Sequence, residues 1–244
     1  MLQTPEDPAQ GQTPGAARLR PVEDFSGTLA QRTYLALREA IIGLAYRPGE
    51  PLRKPDICDR LGVSRSPVSE AIARLAAEGL VDVVPQAGTF VARFSMEEIR
   101  EGAFLREAIE LAAVEALAPV ITEPQLVQLR RNLRVQEALV EDGDFAGFYK
   151  FDAELHALIL SFTGHRKLVH VADTAWVHVN RARQLVLPVA GRVAQTLAEH
   201  LAIVEALASG DTEAARQAMR LHLRQLVSYL EPLERDRPEL FAPG

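Results

Sequence analysis

The stretch Leu61–Val81, LGVSRSPVSEAIARLAAEGLV, carries the clearest local signals for the fold of the N-terminal third of the chain. Gly62 is a break that ends one helix, and Ser66 followed by Pro67 is typical of the cap and first position of the next. Apolar residues then recur with helical spacing and predict one buried face, so the stretch predicts two helices joined by a tight turn. The predicted buried residues are Val68, Ile72 and Leu75.

The flanking sequence adds one helix before this stretch and a hairpin after it. Apolar spacing predicts a helix from Leu29 that ends before Pro48, and a second short helix over 55–61 with proline at its first position. The runs LVDVV and TFVARF are strand-like and are joined by PQAG. Three helices and a hairpin predict a winged helix-turn-helix in residues 28–94.

The start of the third helix carries polar residues that a core does not need. Arg65, Ser66 and Ser69 project from a helix end with partial positive charge, which suits the phosphate-lined major groove. The Arg65 guanidinium can pair with guanine or with a phosphate. Gly88 lets the hairpin tip approach DNA closely, with Thr89 beside it. The alternative is an ordinary three-helix module whose arginine is solvated.

The net charge of −6 does not exclude a nucleic-acid partner, because the charge is unevenly distributed. Residues 29–92 hold eight Lys/Arg and seven Asp/Glu, which gives +1, whereas residues 93–244 hold 17 and 22, which gives −5. Residues 1–28 supply the remaining −2. The acidity therefore belongs mainly to the C-terminal part, and the N-terminal module can still present a basic face.

The remaining composition indicates a protein of the cytoplasm. Cys58 is the only cysteine, which excludes a disulfide framework and a cysteine metal site and favours a reducing compartment. The chain has no apolar run of the roughly 18 residues that span a bilayer, so we expect no membrane partner. Residues 1–27, rich in Pro, Gln and Gly at their start, do not resemble a signal peptide and are expected to form a disordered arm.

Residues 95–235 predict an all-α bundle, which makes the whole chain mainly α, with residues 236–244 as a C-terminal tail. We expect about six helices here and no comparable strand, and a bundle of this size can bury its own core. The predicted breaks lie near Pro119, Asp144, Gly164, Pro188 with Gly191, and Gly210.

Four polar side chains of this bundle lie where the periodicity predicts burial. Asp152 and His156 are four residues apart on one helix face, and His200 and His222 lie on apolar faces of two further helices. Each residue alone has a simpler interpretation, as a helical ion pair or a hydrogen-bonded core histidine. Burying an unpaired aspartate is costly, however, and one divalent ion would satisfy all four residues.

The N-terminal motifs resemble the DNA-binding domain of the GntR family of bacterial transcription regulators. YRPGEPL, LGVSRSPVSEAIARLAAEGLV and PQAGTFV carry this resemblance over residues 30–93. It implies DNA contacts from Arg65, Ser66 and the wing tip at Gly88. Ser69 replaces a second arginine of the family, and Lys54 with Pro55 replaces an acidic-then-basic pair. We therefore expect either a different operator or phosphate contacts from Arg53 and Lys54. The predicted DNA-binding set is Arg53, Lys54, Ser64, Arg65, Ser66, Ser69, Gly88 and Thr89.

The C-terminal motifs resemble the metal-binding form of the FCD ligand-sensing domain in the FadR branch of that family. DAELH, EHLAIVEALASGDTEAARQAM and the following HL carry this resemblance. It implies that Asp152, His156, His200 and His222 are metal ligands. His165 replaces a family asparagine, which we expect to affect a turn rather than the metal.

A site of three neutral imidazoles and one carboxylate leaves a bound divalent ion with about +1 charge. Ni²⁺, Mn²⁺ or Fe²⁺ would have two open positions for an organic-acid effector, and Zn²⁺ is also possible. Arg106 resembles an arginine that the family keeps near its pocket, with Asn180 and Arg181 as further effector-binding candidates. The alternative for Arg106 is a surface ion pair with Glu110.

The sequence therefore predicts a dimeric regulator, a repressor by resemblance, that binds a palindromic DNA operator and a small carboxylate or sugar acid. A metal-dependent enzyme is the main rival, disfavoured by the DNA module and by the lack of a second buried acid to act as general base. Two further rivals are a metal sensor without an organic effector and a metal-free regulator that recognises a fatty acyl group.

Overall fold

The computed structural model describes residues 14–243 and divides the chain into two compact units. The first unit is Met1–Phe94 together with Glu239–Gly244, and the second is Ser95–Pro238. The chain thus leaves the first unit once and returns to it at its C-terminal end.

The first unit is the predicted winged helix-turn-helix. Its regular elements are α1 Leu29–Ile42, α2 Lys54–Leu61, α3 Arg65–Ala77, β1 Val81–Val84 and β2 Gly88–Val91. The two strands pair antiparallel, with Val81 opposite Val91 and Val84 opposite Gly88.

The turn between α2 and α3 depends on Gly62. This residue adopts the left-handed conformation (φ 64°), in which its N–H donates to the carbonyl of Cys58 and ends α2. α3 then begins at Arg65 with Ser64 before it, so the prediction that Ser66 is the cap was wrong. Pro67 is tolerated as the third residue because first-turn N–H groups have no partner within a helix.

The wing is fixed at its base by a third stretch of extended chain. The N–H of Gly49 donates to the carbonyl of Val91 (2.8 Å), and the N–H of Val91 donates to Glu50 (2.9 Å). The N–H of Leu52 likewise donates to Thr89 (2.8 Å). β2 therefore has main-chain partners on both sides, which limits the positions its tip can adopt.

The described part of the predicted disordered arm is ordered. Residues 14–27 contain two short 3-10 helices, Ala16–Arg18 and Val22–Asp24. Ala16, Leu19 and Val22 are buried. The expectation of disorder was wrong here because the Pro- and Gln-rich composition is concentrated before this point, in residues 1–13, which lie outside the described residues.

The predicted tail, residues 236–244, is divided between the two units. α10 includes Asp236, and Glu239 onward belongs to the first unit. The N–H of Phe94 donates to Leu240 (3.0 Å), and the N–H of Ala242 donates back to Phe94 (2.8 Å). The buried ring of Phe241 lies 5.7 Å from that of Phe94.

The second unit is an all-α bundle with one helix more than predicted. Its described helices are α4 Met96–Leu117, α5 Glu123–Asp142, α6 Phe145–Phe162, α7 Arg166–Ala175, α8 Val177–Val186, α9 Arg192–Ser209 and α10 Thr212–Asp236. The extra break is at Trp176, whose backbone (φ −122°, ψ 32°) leaves the helical region. Among the described helices, none is both long and apolar enough to cross a bilayer.

Apolar packing joins α6 to α9, because Phe148 of α6 lies in one apolar cluster with Val193 and Leu197 of α9. Ile159 of α6, Val204 of α9 and Met219 of α10 are buried. Ion pairs such as Glu107–Arg224 (2.7 Å) join α4 to α10 on the exposed side, where such pairs contribute little free energy. Burial of the apolar faces is therefore what positions the polar side chains between these helices.

We expect Phe241→Ala to destabilise the first unit, because the substitution leaves a cavity beside Phe94. A large-to-small change of this kind lowers the free energy of unfolding by about 3 kcal/mol. Hydrogen exchange measured by mass spectrometry should become faster over residues 88–94. The exposed control Pro243→Ala should behave as wild type, and unchanged exchange in Phe241→Ala would contradict the packing described.

Candidate functional site

Four buried side chains from three helices meet in the second unit. Asp152 and His156 come from α6, His200 from α9 and His222 from α10. Each offers one ligand atom, and these atoms lie within 4.8 Å of one another. The structure thus brings together all four residues that were predicted as metal ligands.

The imidazole of His200 is oriented by an amide. Its Nδ1 lies 2.8 Å from Oε1 of Gln136. The amide nitrogen of Gln136 donates to Asn132 (2.7 Å), so its oxygen is the atom presented to the imidazole. Nδ1 of His200 therefore carries the proton, and Nε2 faces the cluster with a lone pair.

His156 is oriented by a buried ion pair. Its Nδ1 lies 2.5 Å from Oε2 of Glu110, and Oε1 of that carboxylate accepts from Nε of Arg106 (2.6 Å). Burial alone would raise the pKa of Glu110, but Arg106 and then His156 outweigh it and lower that pKa to about 2. Glu110 is therefore a carboxylate, and Nδ1 of His156 donates to it.

His222 has an equivalent arrangement on the other side. Its Nδ1 lies 2.8 Å from Oε2 of Glu199. Arg192 holds that carboxylate with two hydrogen bonds of 2.6 and 2.9 Å, while its guanidinium lies over the ring of Tyr229. All three histidines thus present Nε2 to the centre of the cluster.

Acceptor atoms consequently face one another without a proton between them. Nε2 of His156 lies 3.2 Å from Nε2 of His222, and Nε2 of His200 lies 3.3 Å from Oδ1 of Asp152. Among the described atoms, Nε2 of His200 and Oδ1 of Asp152 have no hydrogen-bond partner, whereas Oδ2 of Asp152 contacts Nη2 of Arg183. Burial, reinforced by neighbouring groups, holds the pKa of His200 and of His222 well below the usual value. A divalent cation fits this donor set, because it satisfies every inward lone pair at once.

Arg183 is the charged neighbour of this cluster. Its Nη2 contacts Oδ2 of Asp152, and its guanidinium lies 5.3 Å from the ring centre of Tyr149. Burial, reinforced by Arg106, lowers the pKa of Arg183 to about 9, so the group is cationic at neutral pH. Three buried arginines therefore pair with three acids: Arg106 with Glu110, Arg183 with Asp152, and Arg192 with Glu199.

Two small cavities adjoin the cluster. One of about 30 Å³ is lined by Asp152 and His222, and one of about 90 Å³ by His156 and Trp176. Arg106 and Arg183 line both. Cationic side chains therefore border both cavities beside the cluster.

The predicted effector-binding residues have different positions. Arg106 lines both cavities. The alternative ion pair with Glu110 is present, but it is buried and not at the surface as expected. Asn180 lines the larger cavity. Arg181 is fully buried but is not among the described residues that line these cavities; Arg183, two residues later, is.

Sequence reasoning missed the residues that orient the cluster. The signal for Glu110 and Gln136 was their spacing of four residues from Arg106 and Asn132, which also fits solvated helix faces. Nothing in the sequence distinguished Arg183 or Glu199 from the other charged residues of the bundle.

The predicted DNA-binding residues lie at the start of α3 and on the wing. Ser64, Arg65, Ser66, Arg53 and Gly88 are exposed, and Lys54, Ser69 and Thr89 are half-buried. Ser66 donates to Glu70 (3.3 Å), and Nζ of Lys54 lies 3.1 Å from Oγ of Ser69. Gly88 has φ 131°, which side-chain-bearing residues rarely adopt, and Gln86, which the sequence analysis did not single out, has φ 62° in the same turn.

Two family models match the chain. The model of bacterial regulatory proteins of the gntR family matches residues 29–91, and the FCD domain model matches residues 101–225. The first lies in the winged unit, and the second spans the four clustered residues.

Similar proteins cover most of the chain. An uncharacterised HTH-type transcriptional regulator in an unstable DNA locus of Streptomyces ambofaciens is 38% identical over 210 residues, 86% of this chain and 88% of that protein. The HTH-type transcriptional repressor RspR of Escherichia coli is 31% identical over 212 residues, 87% of this chain and 93% of that protein.

Solved structures agree with the fold. McbR/YncC of E. coli superposes with a TM-score of 0.74 at 20% identity, over 85% of this chain and 99% of that one. A putative GntR transcriptional regulator from Rhodococcus sp. RHA1 superposes with a TM-score of 0.72 at 28% identity, over 83% of this chain and 97% of that one. The chain therefore belongs to the GntR family of bacterial regulatory proteins, as a transcriptional regulator whose second unit is an FCD domain.

Proposed function

We propose that this regulator is a dimeric repressor, controlled by a small organic acid that binds beside a metal ion in the second unit. The observation that carries the proposal is the meeting of the Asp152 carboxylate with three buried imidazoles, each of which has its Nδ1 beside an outer acceptor and its Nε2 in the cluster. Asp152, His156, His200 and His222 would hold a divalent ion.

The ligand chemistry limits the choice of metal. Three nitrogens and one oxygen suit Zn²⁺, Ni²⁺, Mn²⁺ or Fe²⁺, and a six-coordinate ion would keep two positions for an effector carboxylate. The ion would supply positive charge and open coordination positions. The protein supplies the orientation of the imidazoles through Glu110, Gln136 and Glu199.

Charge balance favours an anionic effector. Three of the buried arginines, Arg106, Arg183 and Arg192, are matched by three acids, so a divalent ion adds a charge of about +2 to this paired set. Uncompensated buried charge is costly, and a carboxylate would reduce this cost. Arg106 and Arg183 border both cavities and can donate hydrogen bonds to such a group.

Cavity size favours a small effector. The spaces of about 30 and 90 Å³ correspond to one and a few water-sized volumes, whereas drug-sized ligands occupy roughly 300–1,000 Å³. A short carboxylate or sugar acid is therefore a better match than a fatty acyl chain.

Binding rather than catalysis is the function that the site supports best. A second acid, Glu110, is fully buried beside the histidines, so its suitability as a general base decides the question. Arg106 and His156 lower the pKa of Glu110 to about 2, although burial alone would raise it. A group with so low a pKa is a poor general base. Glu199 is likewise occupied by Arg192 and His222.

Control of transcription requires the metal–effector site to change DNA affinity. A ligand can do so only if it binds two conformations of the protein unequally, and couplings of about 1–3 kcal/mol are usual. Two copies of one small module match the two half-sites of a palindrome, which supports a homodimer acting on DNA in the cytoplasm. The repressor names of RspR and of a Paenarthrobacter nicotinovorans relative, described as a probable repressor of D-xylose utilisation, support repression.

A metal sensor without an organic effector is the second candidate, favoured by the small size of both cavities. The two candidates differ in a titration of operator affinity with the metal-free and metal-loaded protein, followed by a panel of small carboxylates. The effector function requires that a carboxylate changes operator affinity only when the metal is bound. If the metal changes operator affinity and no carboxylate of the panel changes it further, the protein is a metal sensor.

We expect His200→Ala to lower metal affinity by more than about 100-fold, because loss of a ligand exceeds the 10–100-fold cost of losing an orienting partner. Elemental analysis after dialysis measures this loss. His165→Ala removes an exposed histidine and serves as the control. Undiminished metal in His200→Ala would rule out the assigned ligands.

Glu199→Gln should weaken metal binding about 10–100-fold with all four ligands intact, because the carboxylate that orients His222 is lost. Competition with a chelator measures this affinity. Glu205→Gln, an exposed change on the same helix, should have no effect. Equal affinity in the two variants would show that Glu199 does not orient the ligand.

Arg65→Ala should weaken operator binding by about 1–3 kcal/mol, because a base or phosphate contact is lost. Fluorescence anisotropy, with a duplex that the wild-type chain selects from a random pool, measures the affinity. Arg74→Gln changes a cation on the opposite face of α3, where Arg74 covers the ring of Tyr34, and should affect binding much less. Wild-type affinity in Arg65→Ala would contradict the orientation of α3.

A further inference from the structure

We propose that Lys54, held in place by Ser69, reads a second base pair of the operator next to the pair read by Arg65. This proposal deepens the DNA-binding role and depends on it. It replaces the expectation that Lys54 contacts only the phosphate backbone.

The first step is the fixed position of the Lys54 ammonium. Lys54 is the first residue of α2, and its Nζ donates to Oγ of Ser69 on α3 over 3.1 Å. A lysine at a protein surface ordinarily samples many rotamers. Here the side chain is half-buried, and its ammonium lies against the helix that the sequence predicts to enter the groove.

The second step is the position of Ser69 relative to Arg65. The two residues are four apart, so they lie on one face of α3 with their Cβ atoms about 5–6 Å apart. Val68 and Ile72 face the core instead and are buried. The outward face of α3 therefore carries two cations at successive turns, one of its own and one supplied by α2.

The third step is the chemistry of the ammonium. It has three N–H donors, of which Ser69 occupies one, so two are available to a ligand. Guanine presents two acceptors in the major groove, O6 and N7, and lysine is a recognised donor to them. Successive bases are about 3.4 Å apart along a strand, so an offset of one helical turn corresponds to one or two base pairs.

The hydrogen bond from Lys54 to Ser69 favours contact with a base over contact with a phosphate. Phosphate contacts carry no sequence information, and an exposed, flexible cation makes them well. Arg53 precedes α2 and is exposed, which suits that role. Glu70, the acid that follows Ser69, accepts a hydrogen bond from Ser66 instead (3.3 Å).

The experiment compares five full-length proteins: wild type, Lys54→Met, Ser69→Ala, Arg53→Met and Arg65→Ala. The wild type selects a duplex from a random pool, and affinities are then measured for all single-base variants of that duplex. Lys54→Met should reduce the preference for one G·C pair by at least about fivefold, one or two pairs from the position that Arg65→Ala affects. Ser69→Ala should reduce the same base preference. Arg53→Met should lower the affinity for all duplexes by the same factor.

Two results would overturn the proposal. In the first, Lys54→Met loses the same affinity for every duplex, and the slope of its affinity against salt concentration falls by about one ion. This result identifies a phosphate contact. The other is an unchanged base preference in Lys54→Met or in Ser69→Ala. Continued reading of the Arg65 position shows that a variant is folded. Failure of the wild type to select any duplex would instead refute the DNA-binding role.

Discussion

The second unit depends on one constraint, the direction in which three buried imidazoles carry their protons. Each Nδ1–H points outward to an acceptor that another side chain holds in place. Asn132 holds Gln136, Arg106 holds Glu110 and Arg192 holds Glu199. The inward atoms are then all acceptors. Burial of these acceptors favours a cation among them, because isolated buried acceptors are costly and protonation of the imidazoles of His200 and His222 is disfavoured by burial.

The same constraint explains why so much charge is buried in this bundle. The arginines that hold Glu110 and Glu199 stabilise the carboxylates, and the carboxylates in turn orient the imidazoles. Arg106 and Arg192 also line a cavity beside Asp152. One set of ion pairs thus contacts the histidines of the cluster and also borders a cavity beside it.

The sequence predicted the parts of the molecule that depend on local signals. Gly62, Pro67 and the apolar spacing of α3 act within a few residues of each other, and they were sufficient for the helix-turn-helix. A separation of four residues placed Asp152 and His156 on one inward face for the same reason. The acceptors were not predictable in this way, because Glu110 and Gln136 lie 46 and 64 residues from the imidazoles they contact. The helix break at Trp176 was also missed, and Arg183 rather than Arg181 reached the cavities.

Trp176 has one further consequence. It is the only tryptophan of the chain, it is 6% exposed, and it lines the larger cavity with the guanidinium of Arg106 5.8 Å from its ring. The indole emission of the protein therefore comes from a single place, at the wall of this cavity. The molecule contains its own optical reporter of what enters that space, without any added dye.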